Sequence, residues 1–243
     1  MVVTVSSEGA GSAGAHGAAT EGITTDRFIT HAQARAVYDR IGRWQDTRPV
    51  SERRALDALL EYAAFERAAA VVEFGCGTGR LAARLLGERL PGGATYLGVD
   101  VSPRMVSLAR EAVKSWAGRA RVEQADGSAL LPIADGAADR FVSTYVIDLL
   151  SPADTDDLLQ EARRVLRPGG LLALASLTPG RAPLSRGVTS AWVSAWRLHP
   201  VLVGGCRPVR LAAALPGGAF RITVGLTVTD VVLASEVVVA ERL

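Results

Sequence analysis

The chain has 243 residues, 49% of them hydrophobic, with 27 basic and 25 acidic side chains and a net charge of +2. That is enough apolar material for one large core, and the near balance of charge gives no case for a nucleic acid or a membrane surface as partner. Two cysteines, Cys76 and Cys206, argue against a disulfide scaffold and fit a reducing cytoplasm.

Residues 1–24 are rich in Gly, Ala, Ser and Thr, and large apolar residues are almost absent after Val5. Such a segment cannot bury enough surface to offset its ordering entropy, so a disordered tail carrying an idle His16 is expected. It has no basic region followed by an apolar stretch, so no signal peptide is expected. Residues 25–243 are expected to form a single domain, with a binding core at 70–177 and a helical lid or substrate segment at 178–215. Thr25-Asp26 can cap a helix running to about Arg40, with Phe28, Ile29, Ala32, Ala36 and Val37 on one face. After a loop through Trp44 and Pro49, Ser51 can cap a second helix carrying Leu56, Leu59, Leu60 and Ala63.

From Ala70 the pattern changes to strands alternating with helices. A short apolar strand, Ala70 to Phe74, enters a glycine-rich turn, and a helix with Leu81, Leu85 and Leu86 runs to Pro91-Gly92-Gly93. Tyr96 to Asp100 reads as a second strand, and Ser102-Pro103 then opens a helix with Ser as cap and Pro at the first helical position. Val106, Ala109, Val113 and Trp116 line the inner face of that helix. Arg121 to Gln124 and Arg140 to Val146 are the third and fourth strands. Ser151-Pro152 repeats the helix start, with Asp154, Asp156 and Asp157 early and Arg163, Arg164 and Arg167 late. That order complements the helix dipole, so the arginines read as a solvated helix end. Pro168-Gly169-Gly170 stops the helix, and Leu171 to Leu177 is the fifth strand.

A mostly helical stretch, Leu184 to Leu215, separates it from a Val/Thr-rich pair near Arg221–Asp230 and Ala234–Ala240. The apolar run Ile222 to Ala240 is interrupted by Asp230 and Glu236, which suits paired strands better than a membrane helix. The expected fold is α/β: a doubly wound, mostly parallel seven-stranded Rossmann-like sheet, with an antiparallel edge hairpin and N-terminal helices.

In such a sheet, ligands bind beyond the carboxyl ends of the strands, at the switch point. Gly75, Gly77 and Gly79 strip three side chains from the turn after the first strand. A ligand can then touch backbone, and the next helix offers its unpaired N–H groups. The spacing is not the dinucleotide fingerprint, because the third glycine comes one residue early and Arg80 takes the sixth position. No Gly-Lys-Ser/Thr P-loop is present.

Acidic-x-Gly-x-Gly-x-Gly, read here as Glu73 to Gly79, resembles motif I of the class I S-adenosylmethionine-dependent methyltransferases. Asp100 ends the second strand at the distance where an acidic residue meets a ribose in such folds. Asp126-Gly127 after the third strand and Leu166-Arg167-Pro168-Gly169-Gly170 before the fifth complete the resemblance, which covers about Ala70 to Leu177. The resemblance implies S-adenosylmethionine as cofactor. It implies Glu73 for the methionine amino group, and Gly75, Cys76, Gly77, Thr78 and Gly79 around the methionine moiety. It implies Asp100 for the ribose, Val101 or Met105 against adenine, Asp126 with Gly127 at the adenine amino group, and Ser143 or Thr144 bordering the sulfonium. Cys76 reads as a small packing residue rather than a nucleophile, while Glu73 alone has a counter-reading as a helix cap and Asp126-Gly127 as a common turn.

The acceptor half is less legible. Val37-Tyr38-Asp39-Arg40 followed by Trp44-Gln45-Asp46 is similar to the N-terminal Tyr-Asp segment of ubiquinone/menaquinone-type C-methyltransferases. Candidate acceptor-side residues are Tyr38, Tyr145 and Asp148, the last two as possible bases after the fourth strand. Trp192 and Trp196 share a helix face as core or aromatic wall, and His199 is a base or a helix end before Pro200. Ser143-Thr144-Tyr145-Val146 departs from the Asp/Asn-Pro-Pro-Tyr/Phe of adenine and amide N-methyltransferases. The histidines, His31 among them, show no metal spacing, so no metal is expected. The expected activity is methylation of oxygen or carbon on a small, partly apolar metabolite. A cofactor-binding protein with another role, such as a cyclisation or a regulatory interaction, remains open, and a nicotinamide dehydrogenase is disfavoured by the glycine spacing.

Overall fold

The computed structural model describes residues 4–5, 28, 50–180, 183–229 and 233–243. The helix expected over 25–40, with His31 and Tyr38, and the Trp44 loop lie outside the described residues, apart from Phe28. Among the described residues the strands are β1 (Ala70–Phe74), β2 (Thr95–Asp100), β3 (Ala120–Gln124), β4 (Ala138–Thr144), β5 (Leu166–Thr178), β6 (Phe220–Thr229) and β7 (Ala234–Arg242). The helices are α1 (Val50–Tyr62), α2 (Arg80–Arg84, widening into a π turn over Leu85–Arg89), α3 (Pro103–Val113), α4 (Pro152–Val165), α5 (Pro183–Leu198) and α6 (Leu211–Ala214).

The sheet runs β6-β7-β5-β4-β1-β2-β3, and the two-residue strand Thr4–Val5 pairs with β6 at Thr227 and Leu226. Strands β3, β2, β1, β4 and β5 are parallel. The hairpin β6–β7 then joins antiparallel, with β7 against β5. This is the expected doubly wound sheet. Its order reverses between β1 and β4, so the switch point lies where Phe74 and Thr144 end their strands.

The inner parallel strands are buried on both faces, as helical cover requires, while the edge strand β3 exposes Arg121 and Gln124. Val71, Tyr96, Val142, Ala173 and Ala175 join α1, α2 and α3 in one apolar cluster. Val72, Phe74, Phe141, Leu172 and Leu174 join α4 and α6 in the other. Two helix starts form as the Ser-Pro pairs predict. Ser102 Oγ accepts from the Met105 N–H (3.1 Å), and Ser151 forms a capping box with Asp154. Helix α1 begins at Val50, so Ser51 lies inside its first turn rather than capping it.

Arg164 departs from the reading as a solvated helix end. Its guanidinium binds Glu161, Asp135 and the carbonyls of Leu131 and Ile133 (2.6–3.1 Å), pinning the loop before β4 against α4. Glu161 stands at helical spacing from Arg164, but the loop carbonyls that Arg164 also binds are marked by no sequence pattern.

The amino end of the sheet is closed by a second arginine. Arg140 is buried and donates to the Ala63 and Ala64 carbonyls, each at 2.7 Å. Beside it Asp139 accepts from the Ala69 N–H at 2.8 Å, which sets the entry of β1. Replacing Arg140 with Leu leaves two carbonyls without their donor and leaves the buried Asp139 carboxylate with only the exposed Arg167 as its cation. The expected loss is about 3 kcal/mol of unfolding free energy, read by chemical denaturation.

Candidate functional site

The turn after β1 hooks over the end of β2. The N–H groups of Gly75 and Cys76 both donate to the Val99 carbonyl (2.8 and 3.0 Å). The Asp100 carboxylate then accepts from the Gly77 N–H through one oxygen and from the Ser102 N–H through the other, each at 2.9 Å. One side chain thus fixes both the glycine turn and the start of α3. Gly75, Gly77 and Gly79 all take positive φ (76°, 53° and 78°). The outer two glycines also answer to packing. A Cβ on Gly75 would lie 2.2 Å from Val146 Cγ2, and one on Gly79 would lie 2.7 Å from the Ala109 backbone. Gly79 therefore serves the α2–α3 approach.

Two cavities open at this switch point. The larger, about 270 Å³, is lined by Gly75, Gly77, Asp100, Gly127 and Thr144, with an apolar surface from Val99, Val101 and Met105. Tyr145, Leu149 and Leu150 border it beyond β4. The smaller, about 190 Å³, is lined by Glu73, Gly75, Cys76, Thr78 and Thr144, with Arg53, Leu56 and Asp57 of α1 opposite. Gly75 and Thr144 line both, so the two spaces flank the same pair of strand ends. Of the remaining expected contacts, Gly79, Asp126 and Ser143 line neither. Asp126 is exposed and accepts from the Ser128 N–H (2.8 Å) in a turn. Ser143 donates to the Phe74 carbonyl (3.0 Å), which ties the ends of β4 and β1 together.

Glu73 is buried and accepts a hydrogen bond from the Tyr96 hydroxyl at 2.6 Å. Tyr96 lies two residues before Gly98, which sits directly opposite Glu73 in the sheet. The phenol crosses the bare face of Gly98 to reach the carboxylate. Burial, then the Glu73 charge, pushes the Tyr96 phenol well up, so it remains a donor. Sequence reading missed Tyr96; the signal was a tyrosine two residues from a glycine on the strand beside Glu73. Cys76 is also buried, and burial, then the charges of Glu73 and Asp100, push its thiol up. That thiol is a packing group rather than a nucleophile.

The end of β4 bears the acceptor-side candidates. Tyr145 takes a positive φ of 57°, a strained conformation for a large side chain. Its hydroxyl donates to Ser235 Oγ on β7 (3.0 Å). Asp148 is buried, and neither carboxylate oxygen has a hydrogen-bond partner. Burial raises its pKa to about 7; Glu52 adds to the rise, while its own backbone N–H, Arg207 and Ser176 oppose it. The Trp192 and Trp196 indoles donate to the carbonyls of Cys206 (2.8 Å) and Gly205 (3.0 Å), so their shared helix face holds the loop that carries Arg207. His199 is exposed. Tyr38 lies outside the described residues. Arg207 and Ser176 carried no sequence signal.

A family model for a methyltransferase domain matches residues 71–170. The chain is 30% identical over 201 residues to a malonyl-(acyl-carrier protein) O-methyltransferase of Erwinia pyrifoliae, covering 80% of this chain and 68% of the relative. It is 37% identical over 127 residues to a demethylmenaquinone methyltransferase of Thermus thermophilus, covering 52% of this chain and 54% of the relative. The chain spans about half the length, or less, of the first curated relatives it matches. In fold it is similar to the crystal structure of the cyclase SpnF, with a TM-score of 0.69, 16% identity, and coverage of 88% of this chain and 97% of that one. Among the described residues, no helix is long and apolar enough to cross a membrane.

Two outcomes follow from the buried groups. A Cβ at Gly98 would meet the Tyr96 hydroxyl at 2.8 Å and Cys76 at 3.1 Å. Gly98→Ala is expected to cost about 1–3 kcal/mol, and adding Tyr96→Phe to recover part of it, a non-additivity visible in denaturant melts of the three variants. Asp148 binds a proton in the folded protein over the window from its ordinary value of 3.8 up to about 7, where the unfolded chain has lost it. Its contribution is therefore full below that window and lost as pH rises through 7. Unfolding free energy measured across pH 4 to 8 should fall less steeply in Asp148→Asn than in the parent; identical slopes would show that Asp148 is not the titrating group.

Proposed function

We propose, from the premise that this chain belongs to the class I S-adenosylmethionine-dependent methyltransferases, that it methylates an oxygen or carbon of a small, partly apolar metabolite. One observation carries the reading: the Asp100 carboxylate stands between a backbone-lined glycine turn and an apolar slot of Val99, Val101 and Met105. That combination suits a nucleoside, whose base needs an apolar slot and whose ribose needs an acceptor for hydroxyl protons. Each carboxylate oxygen accepts two donors, so Asp100 can hold the turn and a ribose together.

In this reading Asp100 holds the ribose, Val101 and Met105 face the adenine, and the segment at Gly127 borders its edge. Glu73, already oriented by Tyr96, faces an ammonium in the smaller cavity, beside the backbone of Gly75 to Thr78. The cofactor supplies an activated methyl group on a sulfonium, so the protein's tasks are alignment, exclusion of water and handling of the acceptor proton. Thr144 borders both cavities and marks the place where the methyl group passes from donor to acceptor. Residues 183–215 act as the acceptor-side cover, held by the two tryptophans.

Titration calorimetry with S-adenosylmethionine tests the reading; absence of binding at millimolar cofactor would refute it. Release of S-adenosylhomocysteine in the presence of acceptor separates methyl transfer from a role in which the cofactor is only bound. Asp100→Ala is expected to weaken cofactor affinity by about 1–3 kcal/mol, the scale of hydrogen bonds to a charged group. Gly77→Val is expected to abolish binding, because a branched side chain is disfavoured at φ 53° and would enter the cavity.

A further inference from the structure

Among the described residues, five buried side-chain polar atoms have no hydrogen-bond partner, and four of them lie together. They are both oxygens of Asp148, Oγ of Ser176 and Nε of Arg207. The three residues come from the segment after β4, from β5, and from the loop between α5 and α6. Folding brings them together, since the Arg207 N–H donates to the Asp148 carbonyl at 2.9 Å and the charges of Asp148 and Arg207 act on each other. The Ser176 hydroxyl lies near enough to act on the Asp148 carboxylate, yet neither it nor the Arg207 Nε–H reaches hydrogen-bonding geometry with that carboxylate. Native proteins leave few buried polar groups unpaired, so four at one place mark a missing polar guest.

The surroundings hold Arg207 in place. Arg207 donates to the Leu150 carbonyl at 2.9 Å, and its guanidinium lies 5.1 Å from the centre of the Phe28 ring. Phe28 in turn meets Trp196 edge to face at 5.4 Å. Val146, Leu149 and Leu150, which flank Asp148 in the chain, line the larger cavity. On the other side Glu52 acts on Asp148, and its neighbour Arg53 lines the smaller cavity. Asp148 therefore belongs to the segment that lines the larger cavity and stands near the helix that lines the smaller one.

Charge selects the guest. Asp148 requires a donor and the Arg207 Nε–H requires an acceptor. A hydroxyl supplies both with one atom. A carboxylate would stand beside Asp148 and Glu52 as a further buried anion, and an ammonium has no lone pair for Arg207. The nearby wall of Val146, Leu149, Leu150 and aromatic rings suits a planar apolar body.

We propose that Asp148, Ser176 and Arg207 form the methyl-acceptor site, and that the group they receive is the hydroxyl of a planar, apolar acceptor such as a phenol. This rests on the methyltransferase reading above and narrows it to oxygen. Asp148 accepts the hydroxyl proton: the O–H bond breaks, the proton moves to an Asp148 oxygen, and the electron pair stays on the acceptor oxygen beside the Arg207 Nε–H. The Ser176 hydroxyl lies beside the Asp148 carboxylate and restrains its affinity for protons. A carboxylate whose affinity for protons lies near neutrality is well matched to that transfer.

The test uses the full chain saturated with S-adenosylhomocysteine and follows tryptophan fluorescence, since Trp196 borders the site. Phenol and naphthol are titrated alongside the matching carboxylates and methylammonium derivatives. The hydroxyl compounds should bind at least about tenfold more tightly than their charged analogues. Asp148→Asn and Arg207→Gln should each remove about tenfold of that affinity, with S-adenosylhomocysteine affinity unchanged, which also confirms folding. A preference for carboxylate or ammonium, a hydroxyl preference that survives both substitutions, or loss of S-adenosylhomocysteine affinity in the variants would overturn the proposal. So would a parent protein that binds none of these compounds, which would mean that ordered water alone fills the gap. If the parent fails to bind S-adenosylhomocysteine itself, the methyltransferase reading falls, and this proposal with it.

Discussion

The Asp100 carboxylate is the constraint on which the site depends. It ends β2, accepts the Gly77 N–H from one loop and the Ser102 N–H from another, and stands at the edge of the larger cavity. A glycine turn alone is conformationally loose, because each glycine loses more entropy on ordering than any other residue. Two charge-assisted hydrogen bonds oppose that cost at the place where a ligand needs the backbone held. The same bonds fix the start of α3, so Met105 enters the cavity wall in a set position. A residue that resembles a ribose ligand in the sequence is thus first a structural clamp. The two roles are compatible because a carboxylate has more acceptor capacity than the two backbone donors use.

The two ends of the sheet treat buried charge in opposite ways. At the amino end, Arg140 and Asp139 find close backbone partners, and the loops entering β1 are fixed by them. At the carboxyl end, Glu73 is met by Tyr96, while Asp148, Ser176 and Arg207 are left with unpaired atoms. Unpaired buried polar groups cost stability. Their concentration beyond β4 and β5, together with the left-handed Tyr145, places that cost at the end of the sheet where open α/β folds bind ligands.

Much of the fold was legible because its signals are local. Ser102-Pro103 and Ser151-Pro152 start helices through their own cap geometry, and the apolar runs at Ala70, Tyr96 and Leu171 become strands buried on both faces. The cavity-lining turn of the candidate donor site was legible for a related reason. A turn that must expose backbone requires glycine at fixed positions, and an acidic residue at the end of the next strand lies at a set distance along the chain. What was not legible depends on residues distant in sequence. Gly79 serves the approach of α3, Arg164 binds loop carbonyls, and the Trp192–Trp196 face holds a loop, and no spacing rule connects any of these to its partner. Asp148 was noticed by position, but its missing partners and the approach of Arg207 emerge only once the chain is folded.

This difference explains why such a chain declares its donor and conceals its acceptor. In the proposed reading the donor half is recognised by backbone and by two carboxylates, and backbone geometry admits few sequences. The acceptor half is recognised by side chains, and a side-chain site can be assembled from any segments that meet above the sheet. In the proposed acceptor site Asp148, Ser176 and Arg207 come from three such segments, and Arg207 is held by the Leu150 carbonyl and the Phe28 ring, with its loop held by the indoles of Trp192 and Trp196. Each supporting contact is made to a carbonyl or to a ring face, neither of which demands a particular partner residue. The acceptor site can therefore change with little effect on the turn at Gly75 to Gly79. Specificity in this fold then resides in the loops after β4 and β5, where burial of a few polar atoms selects the chemistry of the guest.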